Sequence, residues 1–193
     1  MNISRPILTL ICLSFGLSGS LSAQDSVEDK ARQLLEEHKG ALVVVTAKGT
    51  LEAKTSGDPL PPREQQRRTL GVTIGDDGLV VVSNAAIDAS LGLEGQQAKM
   101  DDDVVTIQTA KTVFNEVEIS YGDSTLLSGR VVRQDVEADV AFIMPDQGEA
   151  KALSKTFQKV DLSQFAATAD AADRVVGLSR SSAVYGYMPT LVL

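Results

Sequence analysis

Two apolar runs at residues 70–74 and 79–83 are separated by Gly75-Asp76-Asp77-Gly78. Runs this short, rich in β-branched residues and broken by an Asp-Gly turn, fit paired strands and are too short for ordinary helices. Asp77-Gly78 supplies the positive φ that a tight hairpin needs. The same punctuation recurs along the chain, which predicts strands at 41–46, 70–74, 79–83, 104–109, 117–121, 126–132, 140–144 and 174–178. Gly122-Asp123 is expected to turn the chain between the strands at 117–121 and 126–132. Short strands at this spacing belong to an all-β barrel or sandwich.

The first 40 residues follow other rules. A basic start with Arg5, an apolar run over 7–17 and then small residues read as a signal peptide over 1–23, cleaved after Ala23 or Ser22. The run is shorter than the roughly 20 apolar residues of a membrane span, so no membrane insertion is expected after its removal. Residues 24–40 carry a short helix over 26–39: Ser26 is its expected cap, Asp29 follows three residues on, and Val27, Ala31, Leu34, Leu35 and His38 share one face. Gly40 ends it. His38, the single histidine, reads as a packing residue near the helix C-terminus rather than a catalytic base.

Composition excludes several functions. The formal charge of −8, or −9 once Arg5 leaves with the leader, repels nucleic acid and anionic lipid. Cys12, the only cysteine, lies inside the leader without a lipoprotein pattern, so the remaining chain has no thiol, disulfide or thiolate metal site. Export without disulfides fits a bacterial periplasm or envelope. About 170 residues remain, enough for one domain with a real core. No phosphate loop, dinucleotide turn or histidine pair occurs, and no cofactor is expected. Residues 54–68, with Pro59, Pro61 and Pro62 and a run of charged and amide side chains, are expected to form a long solvated loop. A second loop-like insert is expected over 88–103. It ends in Asp101-Asp102-Asp103, which lacks the alternating ligands and glycine of a calcium loop, so no metal is expected there.

Three blocks carry a family resemblance. The first is Thr69-Leu70-Gly71-Val72-Thr73-Ile74-Gly75-Asp76-Asp77-Gly78-Leu79-Val80-Val81-Val82-Ser83-Asn84-Ala85-Ala86-Ile87, similar to the strand, acidic turn and strand that precede Asn-His-Val in the HtrA/Deg branch of the trypsin-like (chymotrypsin superfamily) serine proteases. The second, from Val117 to Ala141, resembles the stretch around the catalytic aspartate, with Asp139 at the aspartate position. The third, Ala172-Asp173-Arg174-Val175-Val176-Gly177-Leu178-Ser179, resembles the strand near the end of the first barrel. The resemblance covers about 41–193 and implies a single six-stranded trypsin-like β-barrel over 41–180, followed by a crossover segment over 181–193. The insert at 88–115 accounts for the 54 positions between Ala85 and Asp139, more than is usual in that branch.

The resemblance also implies a broken site. Ala85 stands at the histidine position, and alanine cannot take a proton from a serine. The serine, oxyanion amides and specificity pocket belong to a second barrel that would begin about where the chain stops. Gly122-Asp123-Ser124 imitates the opening of a nucleophile motif, but Thr125 and Leu126 replace its glycines and the position suits a turn. The family's aspartate is buried; here Asp139 needs substitute donors, expected from Ser83, Asn84 or backbone amides. The expected function is that of an exported, catalytically inactive barrel that binds a protein or peptide. Its partner would be an active protease paralogue or a second barrel, held through Val184, Tyr185, Tyr187, Met188 and Leu191. The alternative is the N-terminal fragment of an HtrA-type endopeptidase whose serine-bearing barrel is absent or separately encoded.

Overall fold

Alternating apolar side chains along six strands close into one antiparallel barrel. The architecture comes from a computed structural model, which describes residues 18–56, 58–100, 103–164, 175–182 and 186–192. Helix α1 (Ser18–His38) and a 3-10 turn (Lys39–Ala41) lead into β1 (Leu42–Thr55). Then follow β2 (Arg63–Thr73), β3 (Val80–Ser83), α2 (Asn84–Ile87), β4 (Gln97–Met100), β5 (Asp103–Ser120), β6 (Leu126–Asp135), β7 (Val140–Pro145) and α3 (Gln147–Ala152). A 3-10 turn (Leu162–Gln164), β8 (Val175–Ser182) and β9 (Gly186–Val192) complete the order.

Going round the barrel the order is β1-β2-β3-β7-β6-β5, and β5 returns to pair with β1. Two three-strand meanders, β1-β2-β3 and β5-β6-β7, are thus joined along β3–β7 and β1–β5, leaving no free edge in the ring. Val43, Val45, Val80, Ile119, Leu127, Ala141 and Ile143 fill the interior at 0% exposure. Leu42 and Val44 alternate with the inward residues of β1 but are also buried, and β8 contacts β1.

Several expected boundaries are corrected. Helix α1 is already formed at Ser18, the first described residue, so Ser26 is an interior residue and not its cap, and the expected cleavage points fall within the helix. Residues 1–17 of the expected leader lie outside the described residues. Ala31 is buried and Leu34, Leu35 and His38 are half-buried at the C-terminal end of the helix, the face the periodicity predicted.

The expected loop over 54–68 is mostly strand. Residues 63–68 pair with 46–51, and the turn is confined to 56–62, held by Leu60 N–H to Ala53 C=O at 2.9 Å. Strand pairing needs backbone groups rather than apolar side chains, and the charged residues suit an outer edge that must not recruit other strands. The two strands expected at 104–109 and 117–121 are one, β5, and the expected insert contains β4, which pairs with the start of β5. The strand expected at 174–178 becomes β8. It pairs with β9 in a separate two-stranded sheet, so part of the expected crossover segment is strand.

The hairpins form where Asp and Gly announced them. Ile74 N–H donates to Leu79 C=O at 2.8 Å, and Gly78 takes φ 81°. Tyr121 N–H donates to Thr125 C=O at 2.9 Å with Ser124 at φ 67°, so Gly122-Asp123-Ser124 is a turn.

Candidate functional site

The residues that the resemblance singles out, Ala85 and Asp139, lie where β3 runs into α2 and the β6–β7 turn folds back onto it. Ser83 ends β3 in an extended conformation and caps α2, its hydroxyl accepting from Ala86 N–H at 3.3 Å. Across from it, Asp139 takes φ 51°, a left-handed conformation that Asp tolerates better than most residues, and closes the turn. Its carbonyl accepts from Asn84 N–H at 3.1 Å, anchoring β7 to the start of α2.

The Asp139 carboxylate accepts from Ala85 N–H at 2.7 Å and from the Ser83 hydroxyl at 2.8 Å. These two bonds, the Ala85 amide first, hold its carboxyl below the ordinary carboxylate range. The expected donors are therefore largely those found. Asn84 differs from expectation in its side chain, which turns away: fully buried, its Oδ1 accepts from Gln134 Nε2 at 2.7 Å. Gln134 also donates to Asp88 at 3.1 Å. Partial burial pushes the Asp88 carboxyl up, but donors including Ser90 and Gln134 outweigh this and hold it low.

The structure thus brings Ala85 and Asp139 together, with both residues exposed. The burial of the aspartate implied by the resemblance does not occur. The Ser83 hydroxyl donates a hydrogen bond to the Asp139 carboxylate, whose lowered pKa makes it a weaker base than an ordinary carboxylate. His38 lies at the end of α1, outside this hydrogen-bonded set.

Among the described residues no three His, Cys, Asp or Glu side chains form a metal-holding group, and no helix is long and apolar enough to cross a membrane. Asp101 and Asp102 lie outside the described residues, as do Val184 and Tyr185. Tyr187, Met188 and Leu191 fall on β9, opposite Arg180, Ser179 and Val176. Gln134, Asp88 and Ser90 were missed by sequence reading. Asp88-Ala89-Ser90 carries an Asx-turn signal that was legible, since Ser90 N–H donates to Asp88 at 2.9 Å; the reach from Gln134, 46 positions away, was not.

No protein-family model matches the chain, and no curated protein is similar to it in sequence.

Proposed function

We propose that this protein is an exported, catalytically inactive barrel of the trypsin-like type that serves as a protein- or peptide-binding module in a bacterial envelope. One observation carries the reading. Ala85 and Asp139, assigned to the histidine and aspartate positions from separate motif blocks 54 residues apart, meet through a 2.7 Å hydrogen bond. A chance resemblance in either block would not be expected to place the two side by side on a closed six-stranded ring.

The chemistry of the site supports inactivity. A backbone amide and a serine hydroxyl occupy the carboxylate oxygens that would orient an imidazole, and Ala85 offers no base. Binding is assigned to the C-terminal hairpin, where β9 contributes Tyr187, Met188 and Leu191.

The test is capture from envelope extract with the full chain and with a chain lacking residues 184–193, beside a peptidase assay on unfolded casein. The expected result is no casein cleavage and a protein partner lost on the deletion. Cleavage by the purified chain that disappears in Asp139→Asn would overturn the reading, as would capture indifferent to the deletion. A captured partner bearing a serine-type second barrel would turn it toward the split-protease alternative.

A further inference from the structure

One end of the barrel is closed by a segment that belongs to no strand. After α3, Ser154 adopts φ 51° and donates to Lys151 C=O at 3.0 Å, while Lys155 N–H reaches Ala150 C=O at 2.9 Å. This is a helix-ending pattern in which glycine is the usual residue. The chain then crosses the barrel mouth without regular structure as far as residue 161.

Its side chains alternate between the mouth and its rim. Lys155 lies 4.7 Å over the Tyr121 ring and pairs with Asp123. Phe157 packs on the same ring, centroids 5.5 Å apart. Two glycines far apart in the sequence make room for the crossing. A Cβ on Gly78 would come within 2.7 Å of the Phe157 ring, and one on Gly40 would overlap the Gln158 side chain. At the far end Val160 N–H donates to Thr73 C=O at 2.9 Å, and Lys159 reaches the exposed Asp76 at 2.7 Å.

The crossing is held by side chains more than by backbone. Among the described residues, Val160 to Thr73 is the one backbone hydrogen bond between residues 156–160 and the ring. Beneath it lie the Tyr121 ring, which Lys155 and Phe157 cover, and the Thr73 carbonyl, on residues at 2% and 0% exposure. The ring itself closes through β1–β5 pairing, with Phe157 packed against its core from outside the ladder. We propose that residues 154–160 are a lid that lifts as a unit while the barrel stays folded, uncovering the Tyr121 ring and the Thr73 carbonyl at the barrel mouth. Burial, and after it the nearby Asp123 charge, pushes the Tyr121 phenol well above its usual range.

The geometry supplies its own lock. A Cβ at Gly40 lies 3.2 Å from Gln158 Cβ, close to the roughly 3.5–4.5 Å of a disulfide. The experiment is native-state amide exchange on the full chain carrying Cys12→Ser, Gly40→Cys and Gln158→Cys, reduced and oxidised, with Phe157→Ala in a parallel sample. When reduced, the Val160 amide should exchange at least about tenfold faster than β1 and β5 core amides, and oxidation should slow it by about tenfold or more. Phe157→Ala should speed Val160 by about tenfold and leave the core amides unchanged. The proposal fails if Val160 exchanges at the core rate in the reduced protein, or if Phe157→Ala accelerates lid and core alike. If the disulfide does not form, the Phe157→Ala comparison decides alone.

Discussion

A single carboxylate shows how local bonds set the acid response. Burial pushes the Asp123 acid up, but hydrogen bonds from Lys155 and Thr125 outweigh it and hold the pKa down at about 2. A carboxyl whose folded pKa lies below its unfolded value of about 3.9 stabilises the fold above that value and loses its contribution as pH falls toward the folded one. Wild type should therefore exceed Asp123→Asn in urea midpoint by a constant margin from pH 7 to about 5, with the margin closing between about pH 4 and 2. A margin that persists at pH 2 would assign Asp123 a purely geometric role in its turn. The side chain is more than half exposed, so salt should shrink the effect. Asp139 teaches a related lesson about legibility. The expectation that it takes donors from Ser83, Asn84 or backbone amides came from the sequence, and Ser83 with the Ala85 amide supplies them. Its exposure was not readable, because exposure depends on what else packs over the site.

At the scale of elements, the strand centres were legible and the ends were not. Apolar alternation marks where a strand faces the core. It falls silent where β1, β2 and β5 run beyond the barrel proper and both partners carry polar side chains, such as Lys111 with Glu52 at 2.9 Å. There the ladder is held by backbone hydrogen bonds, which leave no mark on side-chain pattern. Gly71 in β2 marks a second constraint hidden from pattern reading. A Cβ there would lie 2.6 Å from Val80 Cγ1 and 2.9 Å from Val82 Cγ1, both on stiff β-branched side chains. Gly71→Ala should cost about 1–3 kcal/mol by overpacking, read as a lower denaturant midpoint with an unchanged slope. A neutral substitution would mean that β2 and β3 separate more readily than their pairing implies.

For the whole molecule, closure of the ring ties distant segments into one core. Ile119 from β5 and Ile143 from β7 are both at 0% exposure, and the two residues come within reach of each other over Gly129 of β6. Ile119→Ala should cost about 2–5 kcal/mol and lower thermal stability of β1, β3 and β7 together, since the cavity would be shared across the ring. Separate melting of the β1-β2-β3 and β5-β6-β7 meanders in that variant would show the barrel to be two cooperative units rather than one.

By itself the sequence determined that the chain is mostly β, where its hairpins turn, and that alanine occupies the position where the resemblance demands a histidine. These are properties of residue type and short-range order, since turn conformation and apolar alternation are decided within a few residues. Only the tertiary structure decided the ring order, the meeting of Ala85 with Asp139 across 54 positions, the network from Gln134 to Asn84 and Asp88, and the crossing at the barrel mouth. Those depend on which surfaces remain when strands far apart in the chain close on one another, and local periodicity carries no record of that.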